Sequence, residues 1–152
     1  MQTLPEQIKQ LQLYIPEYAT VNTSVSTASV GWHIHHCLLV FSNISDALQN
    51  ADPALYKPSY KFFKWYVYTF KKIPRGRGKA PKIVRPLNVL LADELQQQVQ
   101  IALEKTSGLA FLNPNNYFEH PYFGKLNVKE TISFLAIHTT HHLKIIKDIL
   151  KN

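Results

Sequence analysis

The last quarter of the chain, Asn127 to Lys151, contains neither glycine nor proline. Glu130 follows Asn127 at the spacing of a capping box, in which two side chains satisfy free backbone N–H groups of a first helical turn. At about 100° per residue, one side of this segment is apolar and the other is charged. The apolar side carries Val128, Ile132, Leu135, Ile146, Ile149 and Leu150. The segment therefore predicts a long amphipathic helix with one buried face.

Two histidines, His138 and His142, lie on the apolar side of this predicted helix, whereas His141 lies toward the charged side. Side chains at positions i and i+4 are neighbours on a helix surface, so their ring nitrogens can converge on one point. This is a common way for a helix to offer two ligands to a metal ion. A pair of hydrogen-bonded core histidines would show the same spacing. A third ligand from elsewhere would favour the metal site.

Four further segments also have helical patterns. A short helix is predicted from Thr3 to Pro16, a long one from Ser29 to Gln49, and another from Leu91 to Leu103 with Gly108 as its stop. The stretch from Pro58 to Phe70 is so aromatic that we expect it to be buried from more than one side. Residues 111–125, with two prolines and a glycine, are predicted to form an ordered loop.

These segments predict an all-α fold: a four-helix bundle with a short leading helix and a long basic crossover loop. The 152 residues, of which 45% are hydrophobic, suit a single domain spanning residues 1–152. The lone Cys37 excludes an internal disulfide framework and is predicted to be a packed side chain. Because no signal-peptide pattern and no apolar run of about 20 residues is present, we expect a soluble, cytoplasmic protein without a membrane partner.

The net charge of +7 is concentrated in the predicted crossover, where seven basic and no acidic residues lie between Lys71 and Arg85. Such a loop is often simply solvated. It could instead bind nucleic acid, although it lacks interleaved aromatic residues. In a third interpretation, Arg75, Arg77 or Lys79 folds over the metal site and binds an anionic small-molecule substrate.

The third ligand is expected from the second helix, where residues 31–37 contain three histidines. On a helical wheel His33 lies nearest the centre of the apolar stripe, His36 lies on its edge, and His35 points away. The pattern slightly favours His33. It leaves His36 open, because a metal at the rim of a helical core can take a ligand from the edge of the stripe.

Three short motifs together resemble those of the DinB-like (DinB/YfiT-like) family, over nearly the whole chain. They are residues 29–37 (SVGWHIHHC), residues 120–125 (HPYFGK) and residues 138–142 (HTTHH). The resemblance implies a divalent metal bound by His36, His138 and His142, with His33 either an alternative ligand or a residue behind the ligands. It also implies a bundle with an unusual crossover, often a homodimer. Some members of the family transfer low-molecular-weight thiols.

Three neutral imidazoles leave at least one open position on a metal, which is typical of a catalytic site. Zinc and nickel both suit such ligands, and hydrolysis or thiol transfer would then be available. The competing hypothesis is a non-catalytic basic protein that binds nucleic acid and has structural histidines. His120 is a candidate catalytic residue or a turn residue, and Trp32 and Tyr122 either line the pocket or belong to the core.

Overall fold

The computed structural model describes residues 2–76, 82–86, 88 and 90–151. This part of the chain is mostly helical, with five α-helices and one small sheet. The helices are α1 Leu4–Leu13, α2 Val30–Gln49, α3 Phe62–Phe70, α4 Ala92–Ser107 and α5 Val128–Ile149. The strands are β1 Tyr117–His120 and β2 Gly124–Asn127. Within the described ranges, no helix is both long enough and apolar enough to cross a membrane.

The capping boxes predicted at the two ends of the chain are confirmed. Before α1, the Thr3 backbone N–H donates to the Glu6 carboxylate at 2.8 Å, and the Glu6 N–H donates to the Thr3 hydroxyl at 3.4 Å. Before α5, Glu130 N–H donates to the Asn127 side-chain oxygen at 2.9 Å, and Glu130 accepts from Asn127 N–H at 3.2 Å. These exchanges fix where both helices begin, because they satisfy N–H groups that lack partners within the helix.

The core lies between α1, α2, α4 and α5. Helix α2 packs against α4 and α5, and α1 packs against the same two helices. Fully buried side chains from all four contribute, including Ile8, Leu11, Ile34, Leu38, Phe41, Leu95, Val99, Leu135 and Ile146. One buried polar link joins α1 to α5: the Gln7 amide donates to the Ala136 carbonyl at 3.0 Å and to the Thr140 hydroxyl at 2.8 Å. This packing brings the first half of α2 beside the middle of α5.

The start of α2 lies unusually close to the preceding turn. Gly31 N–H donates to the Tyr18 carbonyl at 2.7 Å. A Cβ on residue 31 would lie 2.8 Å from that oxygen and 3.1 Å from the Tyr18 Cβ. Only glycine therefore permits this approach, which fixes the helix just before its histidines.

The all-α prediction is wrong in one respect, because residues 117–127, mostly predicted as loop, form an antiparallel hairpin. Its register pairs Tyr117 with Asn127 and His120 with Gly124. The three-residue loop 121–123 is followed by Gly124, the first residue of β2, whose φ of +71° is a left-handed conformation that favours glycine. A Cβ there would also collide with Ser59. Each strand has only four residues, too few for alternation to be recognised in the sequence.

The prediction that the aromatic third helix is buried from more than one side is also wrong. Helix α3 starts at Phe62, four residues later than predicted, and among its residues only Val67 is buried. It packs against α5 with that side and exposes much of Phe62, Trp65 and Phe70. These aromatic residues thus form part of the outer surface of the protein.

Candidate metal centre

His36 from α2 and His138 and His142 from α5 lie together where the two helices pack. One ring nitrogen from each residue falls within 4.8 Å of the others. The ring centroids are 5.1 Å apart for His36 and His138, and 4.6 Å apart for His138 and His142. His36 and His142 are buried, whereas His138 is half-buried and provides the exposed side of the cluster.

The backbone of the crossover fixes which nitrogen of His36 faces the cluster. The Val84 carbonyl lies 2.6 Å from His36 Nδ1 and can only accept, so Nδ1 carries the proton. The unprotonated Nε2 points to His138 Nε2 at 3.2 Å. Two nitrogens bound tetrahedrally at about 2.0–2.1 Å from zinc would be about 3.3 Å apart. The observed distance therefore fits two ligands of one ion.

His33, the alternative ligand, lies behind His142. Their Nδ1 atoms are 3.0 Å apart, and His33 Nε2 lies 3.1 Å from the Ser26 hydroxyl oxygen. If His142 offers Nε2 to a metal, its Nδ1–H donates to His33 Nδ1. His33 Nε2–H then donates to Ser26, whose oxygen also accepts from Ala28 N–H at 3.1 Å. Both ring N–H groups in this chain then have an acceptor, as in the usual arrangement behind a metal-binding histidine.

Burial keeps these imidazoles neutral. It lowers the pKa of His138 and His142 well below the ordinary value, and positively charged neighbouring histidines would lower both further. Burial also lowers the pKa of His36, partly offset by the hydrogen bond to Val84, and lowers that of His33 to about 4. Neutral rings carry the lone pairs that metal binding needs, so the cluster requires no deprotonation at neutral pH.

Comparison with protein families agrees with this geometry: the model of the DinB superfamily matches residues 15–146. The chain belongs to the DinB superfamily. Comparisons with curated proteins and with solved structures gave no match. Superfamily members generally bind a metal, and this DinB protein has a three-histidine cluster that allows the same role.

Trp32 and the crossover surround the cluster of this DinB protein. The Trp32 ring stacks on His36 at 5.2 Å with an interplanar angle of 14°, and meets His33 edge-on at 5.2 Å. Burial is the main cause of the lowered pKa of His33 and of His141, and the positive charge of the nearby Arg75 lowers both pKa values further. The Arg75 guanidinium forms an ion pair with the Asp148 carboxylate at 2.7 Å. Two residues of the crossover thus lie near the site: Val84, which contacts His36, and Arg75, which lies near His33 and His141.

Among the described candidates, His120 and Tyr122 are not members of the three-histidine cluster. Both Arg77 and Lys79 lie outside the described residues. His120 Nδ1 accepts the backbone N–H groups of Tyr122 and Phe123 at 3.1 and 3.3 Å, a turn arrangement. The Phe134 ring separates it from His138. Burial lowers the pKa of His120 to about 4, so it is neutral near pH 7.

Tyr122 is more than half exposed, and its ring contacts His120. Cys37 is fully buried, and burial raises the pKa of its thiol, which suppresses nucleophilic reactivity.

Sequence reasoning missed two groups that orient the histidines. Ser26 lies in a Ser/Thr-rich connection, where a hydroxyl is expected to bond to local backbone, and nothing in that pattern indicates His33. The Val84 carbonyl is a backbone atom 48 residues from His36. No side-chain pattern could have revealed it.

The lowered histidine pKa values predict a pH-dependent stability for the metal-free protein. Each histidine binds a proton more readily in the unfolded chain, so stability is complete above about pH 7 and falls as the pH drops toward 4. A single group shifted from 6.5 to about 4, such as His120, accounts for about 2 kcal/mol at pH 5. Urea denaturation in the presence of a chelator should therefore give a lower free energy of unfolding at pH 5.0 than at pH 7.5. Equal values would contradict the assigned neutral state.

Proposed function

We propose that this DinB protein is a metal-dependent enzyme whose zinc or nickel ion is held by His36, His138 and His142. The observation that carries the proposal is the convergence of three neutral ring nitrogens within 4.8 Å, with the proton of His36 directed away to Val84 and with Nδ1 of His142 only 3.0 Å from Nδ1 of His33. In this proposal α1, α2, α4 and α5 form the four-helix bundle typical of the family.

A divalent ion with three imidazole ligands supplies a Lewis acid that lowers the pKa of bound water toward about 7 or binds a thiol as thiolate. The chain itself orients the site. Trp32 covers one face of the His36 ring, and the half-buried His138 marks the side from which a substrate enters. We therefore assign the protein hydrolytic or thiol-transfer chemistry.

The surroundings of the cluster favour an anionic substrate or the carboxylates of a low-molecular-weight thiol. Arg75 is near enough to act electrostatically on His33 and His141, and it is held there by Asp148. The ion pair is partly exposed, so the guanidinium can exchange its carboxylate partner for a substrate anion at little cost. We assign Arg75 this contact.

The decisive experiment uses Trp32 as an internal reporter. In a Trp65→Phe background Trp32 is the remaining tryptophan, and its ring stacks on a proposed ligand. Titration with Ni²⁺ should quench its emission with a stoichiometry of one ion per chain. Zn²⁺, which has a filled d shell, should compete for the same site with much weaker quenching.

The matched control carries His36→Ala in the same background and should show no saturable quenching. Protein that binds the ion is then assayed with activated esters and with thiol acceptors. Failure of the parent to bind either ion would refute the metalloenzyme proposal. The metal site would have a structural role only if the protein bound metal but showed no turnover in either assay, and if Arg75→Ala changed neither product binding nor thiol binding.

A further inference from the structure

The outer face of α3 is an aromatic surface that the proposed metal chemistry does not use. Tyr60, Phe62, Trp65 and Phe70 are 93, 79, 56 and 58% exposed. Three of the rings are adjacent: Phe62 lies 5.6 Å from Trp65, and Trp65 lies 6.3 Å from Phe70, between ring centroids. Tyr60, just before α3, lines the same groove as Phe62 and Trp65. A contiguous exposed apolar patch of this kind marks an interaction surface. We call these four side chains the aromatic face.

The charge around the aromatic face selects an anionic partner. Between Asp52 and Asp93 the sequence contains ten lysines and arginines and no acidic residue. Lys61, Lys71 and Lys72 flank the aromatic face, are exposed, and form no ion pair with any described residue. A second copy of the chain docked here by two-fold symmetry would place like charges together, which disfavours it.

The shape of the surface distinguishes between anionic partners. A groove of about 490 Å³ runs along the aromatic face and is lined by Tyr60, Lys61, Phe62, Trp65 and Tyr68. Glu130, the acidic residue in its lining, is neutralised by Lys64 at 2.6 Å. An open groove with aromatic walls accepts a flat ring, whereas a lipid surface would contact only protruding side chains.

We propose that the aromatic face binds single-stranded nucleic acid. Bases stack on Tyr60, Phe62 and Trp65, and phosphates contact Lys61, Lys71 and Lys72. Proteins that bind single strands without sequence preference combine aromatic side chains, on which bases stack, with positively charged side chains that contact the phosphates. The aromatic residues that the basic crossover itself lacks are thus supplied by the helix that precedes it.

This binding surface is separate from the histidine cluster. Glu130, at the edge of the groove, is eight residues before His138 on α5, or about 12 Å along the helix axis. None of the cluster histidines lines the groove. Binding at the aromatic face is therefore independent of the metal site.

The test is fluorescence anisotropy of a labelled 20-nucleotide oligothymidylate titrated with the full chain at 50 and 200 mM NaCl. We expect binding that weakens with salt, since counterions are released from the strand. Trp65→Ala and Phe62→Ala should each weaken it about tenfold, because stacking on one base is lost. A Lys61→Glu, Lys72→Glu double variant should weaken binding and flatten its salt dependence.

Two matched controls should bind like the parent. Phe111→Ala removes a phenylalanine that is 90% exposed outside the aromatic face, and Lys9→Glu reverses an exposed charge on α1. Circular dichroism checks that each variant is folded. Metal content should be unchanged in all of them, which keeps the outcome independent of the metalloenzyme proposal.

Three results would overturn the inference. The first is no binding at 50 mM NaCl, and the second is equal weakening by the control variants. The third is evidence for a different partner when no oligonucleotide binds. In that case the protein would sediment with vesicles that contain anionic lipid, or it would form a dimer that Trp65→Ala dissociates. These last outcomes would assign the aromatic face to a membrane surface or to a second copy.

Discussion

Replacement of His36 by alanine is expected to lower the affinity for zinc or nickel by more than about 100-fold. His36 is the ligand that α2 contributes, and without it the two histidines of α5 hold the ion from one side only. Loss of a residue that merely orients a ligand costs about 10- to 100-fold. Loss of the ligand itself must exceed that range. His142→Ala should have the same effect, because it removes one of the two α5 ligands.

Elemental analysis of untagged protein and calorimetric titration with each metal measure this effect. The matched control is His35→Ala, which removes the neighbouring imidazole in the same helix. His35 is not one of the three clustered histidines; burial lowers its pKa, and the nearby Glu94 carboxylate of α4 partly offsets this effect. It should therefore retain about one ion per chain. Retention of the ion by His36→Ala, or its equal loss in His35→Ala, would mean that the ligands have been assigned wrongly.

The helices that carry the site could be predicted from the sequence because their signals are local. Asn127 and Glu130 define the start of α5 within four residues, and Thr3 and Glu6 do the same for α1. The hairpin and the exposure of α3 could not be predicted in this way. A four-residue strand has too little pattern, and the burial of an aromatic helix depends on how much neighbouring structure is available to cover it.

The choice between His33 and His36 shows where pattern stops being informative. Both residues are buried, and both contact a histidine of α5: His36 contacts His138, and His33 contacts His142. A helical wheel ranks them by direction alone and favours His33. The two outer partners, Val84 for His36 and Ser26 for His33, come from the crossover and from the connection before α2. The distinction therefore depends on tertiary contacts.

The second large effect is expected for His33→Ala, which should weaken metal binding by about 10- to 100-fold without abolishing it. His33 Nδ1 lies 3.0 Å from His142 Nδ1, so it accepts the Nδ1–H of His142 if that ring offers Nε2 to the ion. Without this acceptor, the buried proton of His142 has lost its partner and the ring loses its orientation. Competition with a chromophoric chelator measures the affinity, and saturation should still reach one ion per chain.

Two further variants separate orientation from ligation. His33→Gln offers a side-chain carbonyl to His142 and should recover part of the lost affinity, whereas an amide cannot replace a ligating imidazole. Ser26→Ala removes the outermost acceptor and should have a smaller effect, since the contact between His33 and His142 remains. If His33→Ala abolishes binding as completely as His36→Ala, His33 is itself a ligand. If affinity does not change, the ring of His142 is oriented by helix packing alone, and the hydrogen-bonded chain through Ser26 has no part in metal binding.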